Sequence, residues 1–285
     1  MSQLAPLLFS YGWLGLLALA WVGLCVGSFL NVVVHRLPIM LQRSFEAEAR
    51  DILEQPAQTE AERYNLMVPR SACPECGHQI RAWENIPVLS WLALRGRCSN
   101  CSTPISARYP LVELLTMALT LVAVAQFGFT WAGLGACVFT WMLIAATFID
   151  ADTMLLPDQL TLPLLWMGLL LNITGTFVPL TDAVVGAVAG YLALWSIYWL
   201  FKLITGKEGM GYGDFKLLAA VGAWLGWAVL PYVVLLAAVS GLIFAVMSMV
   251  VGKMRRDQPM PFGPYLAAGG WLAMVLQERL QTFMI

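Results

Sequence analysis

The sequence predicts an all-α polytopic membrane protein with about eight transmembrane helices. Three observations carry this. Of 285 residues, 60% are apolar and only 12% are charged, against about 45–50% and about 25% in soluble domains. Mean hydropathy is +0.75. The apolar residues fall into separate runs, most of them near the roughly 20 residues that cross a bilayer core. The formal net charge of −1 gives no electrostatic footprint for nucleic acid.

The first run, 13–34, reads as a retained transmembrane helix with its N-terminus outside. No Lys or Arg stands in Met1 to Tyr11, so the basic start of a secretory signal is missing. Gly23 and Gly27, with Ser28, are spaced for close helix packing. Residues 1–35 are taken as this first helix, and residues 36–109 as a polar cytoplasmic domain. The polar stretch carries Arg36, Arg43, Arg50, Arg63, Arg70, Arg81, Arg95, Arg97 and Arg108, nine of the sixteen basic residues. Within it, Leu41, Phe45, Ala49, Ile52 and Leu53 recur at helical spacing, which predicts a separate surface helix over 40–56.

Residues 110–285 hold seven further apolar runs: 111–127, 131–149, 159–178, 183–203, 215–229, 231–252 and 261–280. Eight spans would leave both termini outside. The stretches then facing the cytoplasm contain Lys202, Lys207, Lys216, Lys253, Arg255 and Arg256, whereas the external turns near 128–130, 179–182 and 230 contain no Lys or Arg. Arg279 alone lies near the outer side. This follows the positive-inside rule.

Cys73-Pro-Glu-Cys76 and Cys98-Ser-Asn-Cys101 are 21 residues apart. Each turn can aim two thiolates at one ion, and two turns complete a tetrahedral four-cysteine zinc site. Four protein ligands leave no open position, so the metal's role reads as structural. The competing reading is a redox dithiol. His78 is a surface residue or a spare ligand. Cys25 and Cys137, alone in apolar runs, read as small buried hydrophobes.

Acids near lipid are costly and therefore candidates for chemistry. Asp182 falls in an external turn, Asp158 suits a cap for a helix starting near Leu160, and Glu113 lies beside Arg108 as a candidate ion pair. Asp150, with Asp152 as its nearest rival, and Asp214 in Gly209-Met-Gly-Tyr-Gly-Asp-Phe-Lys216 remain. Charge topology puts both on one side of the membrane. From chemistry alone each reads either as a helix-end residue or as half of an aspartyl dyad. In such a dyad two neighbouring carboxylates share a proton, one deprotonating water and the other hydrogen-bonding to the scissile carbonyl. Asn172-Ile-Thr174 matches a glycosylation pattern but sits near a span end and carries no weight.

Over nearly its full length the chain resembles the type IV prepilin peptidases, bifunctional leader peptidases and N-methyltransferases of bacterial inner membranes. The resemblance rests on Gly27-Ser-Phe-Leu-Asn-Val-Val33 with Arg36-Leu-Pro38, the two cysteine pairs, and Arg108-Tyr-Pro-Leu-Val-Glu113. It continues through Asp150 followed by Pro157-Asp-Gln-Leu-Thr161, the glycine-rich stretch ending in Asp214, and Pro261-Phe-Gly-Pro264. It implies that Asp150 and Asp214 are the catalytic pair of an aspartyl endopeptidase. The implied substrates are prepilins, and pseudopilins of type II secretion, each with a basic leader cut at the cytoplasmic face. S-adenosylmethionine is the implied methyl donor for the new N-terminus. Gly96, between Arg95 and Arg97, could shape a methyl-donor pocket or simply turn the chain into the second cysteine pair. Glu208 and Asp158 could attract the leader's charge. Outside the resemblance, a proton-coupled transporter using the two aspartates as a relay is the main alternative, and a zinc-bearing membrane scaffold is another.

Overall fold

The computed structural model describes residues 4–55, 63–252 and 260–277, with side chains from residue 12 onward. Lys253, Arg255, Arg256 and Arg279, part of the charge argument, lie outside the described residues. No strand occurs among the described residues, only two isolated β-bridges. The chain divides into two compact units, Met1–Ala125 and Gln126–Ile285.

In the first unit, α1 runs from Leu4 to Ile52, with non-helical geometry at Gly12 (φ 64°, ψ 175°). The separate helix expected over 40–56 is instead the continuation of α1, which holds 41 residues from Gly12 to Ile52. Pro38 lies inside it. Proline removes one backbone donor there, but the apolar neighbours on both sides keep the helix going. At 1.5 Å per residue this helix is about 60 Å long, twice the hydrocarbon thickness, so it extends well beyond any lipid it crosses. Its polar end is fastened locally. Arg36, buried, donates to the Asn65 and Pro69 carbonyls at 2.9 and 2.7 Å, and Arg43 stacks 4.3 Å from the Tyr64 ring centre. After a 3-10 turn at Ala82–Asn85 come α2 (Leu89–Ala93) and α3 (Arg108–Phe127). Helices α1 and α3 meet closely: a Cβ at Gly23 would lie 2.7 Å from the Met117 Cα, and one at Gly27 2.6 Å from the Glu113 Cα.

The second unit comprises α4 (Trp131–Thr153), α5 (Asp158–Asn172), α6 (Leu180–Thr205), α7 (Tyr212–Leu225), α8 (Leu230–Val250) and α9 (Gly263–Val275). Its centre is α7, buried from Asp214 and Phe215 through Leu217–Leu225 and flanked by α5, α6 and α9. Glycine makes this possible. A Cβ at Gly186 would fall 2.4 Å from the Gly222 carbonyl oxygen, and one at Gly222 2.2 Å from that of Gly186, so the α6 and α7 backbones touch as small residues allow. Trp224 closes the far end. Its indole N–H donates to the Leu164 carbonyl at 2.7 Å, and its ring stands 4.9 Å from Phe139 and 5.5 Å from Phe177. Asn172, fully buried, donates to the Ala223 and Trp224 carbonyls and accepts from the Phe177 and Val178 amides. This is a helix-end cap with nothing left for a glycan.

Among the described residues five helices are long and apolar enough to span: Gly12–Ile52, α3, α4, α6 and α8. The runs expected at 159–178, 215–229 and 261–280 form helices of 15, 14 and 13 residues. On α6 and α8 large apolar side chains such as Val188, Leu192, Leu235 and Leu242 face outward. A surface this apolar requires lipid, and the protein is an integral membrane protein. Cys137 is buried as expected, but Cys25 is exposed on α1; it lies on the outward face of a helix whose inner face is taken by Gly23 and Gly27.

Candidate functional site

Asp150 ends the buried face of α4 and is 5% exposed, whereas Asp152, two residues on, is exposed. A two-residue step turns about 200° around a helix, so only one of these neighbours can point inward. Asp214 is the third residue of α7 and 7% exposed. The Asp150 Oδ2 accepts the Gly263 N–H at 2.9 Å. Gly263 is the first residue of α9, where amides have no partner within the helix. The Asp214 amide bonds to the Gly211 carbonyl at 3.2 Å, and its Oδ1 is buried without a hydrogen-bond partner. The two carboxylates are within electrostatic reach of each other.

The link from α4 to α5 holds these ends together through Leu156. A Cβ at Gly213 would lie 2.6 Å from the Leu156 Cβ. One at Gly263 would lie 2.7 Å from the Asp150 Oδ2 and 3.1 Å from the Leu156 Cδ1. The site is thus the end of α4, the starts of α7 and α9, and one leucine between them. Its chemistry is that of two buried carboxylates, one fixed by an amide and one with a bare oxygen. Sequence reasoning gives neither Gly263 nor Leu156 a role at the site. The glycine before a proline at an apolar run's start is the available signal for the first, and nothing marks the second.

The other acids are held elsewhere. Asp158 does not cap α5: Pro157 is the N-cap, and Asp158, in the first turn, accepts from the Lys216 ammonium at 2.6 Å. Glu208 pairs with Lys202 at 2.8 Å. Asp182 lies in the first turn of α6, where an acid suits the helix dipole. Glu113 accepts the Val88 N–H at 2.7 Å.

In the first unit the four cysteine sulfurs, Cys73, Cys76, Cys98 and Cys101, lie within 4.8 Å of one another. Cys73 and Cys101 are 3.7 Å apart, Cys76 and Cys98 4.0 Å. Zinc–sulfur bonds of about 2.3 Å in a tetrahedron put sulfurs about 3.8 Å apart, so the donor set fits a tetrahedral metal. The same small hairpin builds both halves. Cys73 N–H bonds to the His78 carbonyl and Gly77 N–H to that of Cys73, while Cys98 N–H bonds to the Thr103 carbonyl and Ser102 N–H to that of Cys98. Ser102 takes the left-handed φ that Gly77 takes, 60° against 69°.

Glu84 stitches the halves together. It accepts from the Arg81 amide at 2.7 Å and from the Ser99 hydroxyl at 2.5 Å, and contacts His78 at 3.2 Å. The Arg81 amide, then Ser99 and His78, hold its carboxyl down at about 2. His78 is thereby committed to Glu84. Within the cluster the Thr103 hydroxyl and amide hold the Cys101 thiol down at about 6, while Cys73 is pushed up to about 11.

Gly96 has φ +65°, and a Cβ there would strike the Trp91 ring at 2.8 Å. Its amide bonds to the Trp91 carbonyl and its carbonyl accepts from Ile105. It turns the chain into the second cysteine pair. Beside it an open depression of about 560 Å³ is lined by Ala93, Leu94, Arg95, Arg97, Cys98, Ser99 and Ser102.

Comparison with known proteins agrees with this architecture. The bacterial peptidase A24 N-terminal domain matches residues 21–127, and the type IV leader peptidase family matches residues 137–246. A prepilin leader peptidase/N-methyltransferase of Aeromonas salmonicida is 57% identical over 98% of this chain and 97% of its own. One of Pseudomonas aeruginosa is 54% identical (91% and 89%), and one of Burkholderia pseudomallei 59% (87% and 81%). No solved structure matches the chain. With identity at this level sustained along almost the whole length, the chain belongs to the type IV leader peptidase family.

Proposed function

We propose that this membrane protein is a prepilin leader peptidase and N-methyltransferase, with Asp150 and Asp214 as the peptidase's acid–base pair. Its substrates are type IV prepilins and pseudopilins of type II secretion, cut at the cytoplasmic face of the bacterial inner membrane. The observation that carries the reading is the Asp150–Asp214 site: two buried carboxylates at adjoining helix ends, one with an unpartnered oxygen. The names of the relatives support both activities, and the arginine-rich polar stretch supports the orientation.

An amide donor stabilises a charged carboxylate. Asp150, whose Oδ2 is fixed by the Gly263 amide, is assigned as the base, and Asp214, whose Oδ1 is left free of partners to meet the carbonyl oxygen, as the protonated partner. Water attacks the scissile carbonyl carbon and gives its proton to Asp150. The Asp214 carboxyl donates a hydrogen bond to the carbonyl oxygen as the carbon–oxygen double bond opens. Collapse of the tetrahedral intermediate breaks the carbon–nitrogen bond, and the leaving amine takes up the proton. The small residues around Asp214 let an extended backbone approach.

Methylation is assigned to the first unit, because its polar lobe offers the arginine- and serine-lined depression beside Gly96. Cys73, Cys76, Cys98 and Cys101 would hold a structural zinc, which would supply folding energy to the lobe. S-adenosylmethionine supplies an electrophilic methyl group when bound. The depression beside Gly96 is the candidate place for it, where Arg95 and Arg97 suit its carboxylate and Ser99 and Ser102 its hydroxyls. Gly96 serves by keeping the turn that shapes this wall.

Incubation of purified protein with a prepilin, with and without S-adenosylmethionine, followed by product mass, tests the whole reading. Loss of the leader alone is expected without the donor. With it, the mature chain should also gain about 14 Da, the increment of one methyl group replacing a hydrogen. Full-length prepilin recovered unchanged would overturn it.

A further inference from the structure

We propose that Glu113 is a positioning residue for methyl transfer, holding the zinc lobe on α3 through a strained turn at Val88. The inference rests on the assignment of methylation to the first unit.

Glu113 is a buried acid that the peptidase chemistry does not use. Its carboxylate sits where α1 and α3 are closest, with the Gly27 backbone against its Cα. Burying a carboxylate is costly unless donors meet it. The Ser28 hydroxyl is one donor, and the Val88 N–H, at 2.7 Å, is the other. Val88 has φ 60°, ψ −48°, and the Leu89 N–H bonds to the Pro87 carbonyl at 2.6 Å. This is a three-residue γ-turn of the rare, positive-φ kind. A β-branched residue pays a steric penalty there that persists only when its surroundings enforce it. Here the enforcing partner is the Glu113 carboxylate.

The turn decides where α2 starts. Trp91 on α2 donates from its indole to the Ile105 carbonyl at 3.1 Å, and its ring backs Gly96. Gly96 and Ile105 flank the second cysteine pair. A connected series therefore runs from α3 through Glu113, Val88, α2 and Trp91 to the wall of the depression. Every link is a hydrogen bond or a ring contact within one unit, so the carboxylate sets the height and rotation of that wall on the helix pair.

The test uses full-length enzyme in detergent. It measures leader cleavage on prepilin, methyl transfer on pre-cleaved pilin, and zinc per chain. Glu113→Ala should lower methyl transfer about 100-fold, the scale of a misplacement near 1 Å, with zinc retained and cleavage within about twofold of wild type. Adding Val88→Gly should recover at least about tenfold of the loss, because glycine takes positive φ without the carboxylate's help. Glu113→Met, similar in length but with no oxygen to accept the Val88 N–H, carries the same comparison if the alanine variant fails to accumulate. Methyl transfer within about twofold of wild type in Glu113→Ala or Glu113→Met overturns the proposal. So does a loss that Val88→Gly leaves untouched, or an equal fall in cleavage. A Cys98→Ser control separates the two ideas: methyl transfer that survives loss of zinc overturns the assignment to the first unit, whereas its loss there with normal methylation in the Glu113 variants overturns only the positioning role.

Discussion

The two units build their sites by opposite means. The metal lobe takes its four sulfurs from two copies of one short hairpin, whose backbone bonds each span nine residues or fewer. The aspartate site takes its two carboxylates and one amide from residues 150, 214 and 263, on three helices. A metal can organise the first after local turns have formed. Only helix packing can assemble the second. The two sites should therefore fail independently, and for different reasons.

The largest expected effect is chemical. Asp150→Asn and Asp214→Asn should each lower prepilin cleavage by more than about 10³-fold, within the range expected for losing a general acid or base. Zinc content and membrane insertion should stay normal. Quantitative cleavage assays beside metal analysis check this, and normal cleavage by either variant removes that residue from the pair. Stripping the metal with a strong chelator is the mirror image: methyl transfer should vanish while cleavage persists. Simultaneous loss of both would show that the two sites are not separate.

A structural break follows. Gly222→Leu inserts a side chain where even a Cβ would meet the Gly186 carbonyl at 2.2 Å, and the contacting atoms are backbone, which cannot rotate away. Overpacking of this kind costs several kcal/mol, above the usual range of about 1–3. Cleavage should be lost and the second unit's thermal transition lowered sharply, with zinc still bound. A variant with normal cleavage would mean that α6 and α7 can separate without moving Asp214.

The contrast also explains what is legible in the sequence. Local spacing reveals local sites: Cys-x-x-Cys twice over announces a four-cysteine cluster, and the sulfurs lie within 4.8 Å of one another, as a metal would need. Apolar runs announce α3 to α9 as helices, though three of them, α5, α7 and α9, are shorter than the runs that announce them. The junction at Pro38 misleads because a proline in a helix removes one hydrogen bond without stopping the chain, so α1 is one long helix. Asp158 looks like a cap but is not one, because the residue that precedes it, Pro157, already ends the link. Long-range partners carry no signal at all. Gly263 meets Asp150 across 113 positions, and Asn172 meets Trp224 across 52. Only the assembled helices put these pairs together. Gly96 is legible as a turn but not as a residue pressed on Trp91. A lysine there would break the turn and block the depression at once, so Arg97→Ala is the cleaner probe of donor binding.

Smaller effects grade the second unit's packing. Trp224→Phe keeps the ring stack on Phe139 and Phe177 but leaves the Leu164 carbonyl without its indole donor. Losing one buried hydrogen bond costs about 1–3 kcal/mol. The unfolding midpoint should fall accordingly while cleavage stays near wild type, since Trp224 lies about three helical turns from Asp214. A fall in cleavage larger than the fall in stability would tie that end of α7 to the site.

The smallest effect sharpens the zinc lobe's side of the comparison. Glu84 ionises at about 2 when folded, below its ordinary 4.5. A depressed carboxyl stabilises fully above its unfolded value and loses that contribution as pH falls from about 4.5 through about 2. Zinc leaves earlier, because protons compete with the metal for the four thiolates that hold it. Glu84 is therefore fully charged throughout the range in which metal is lost. Glu84→Gln should weaken zinc binding by less than about tenfold, at or below the low end of outer-shell effects, and equally at every pH from about 5 to about 8. The slope of affinity against pH should match wild type. A changed slope would mean that Glu84 titrates with the thiolates, and that the carboxylate joining the two hairpins belongs to the metal's own proton balance.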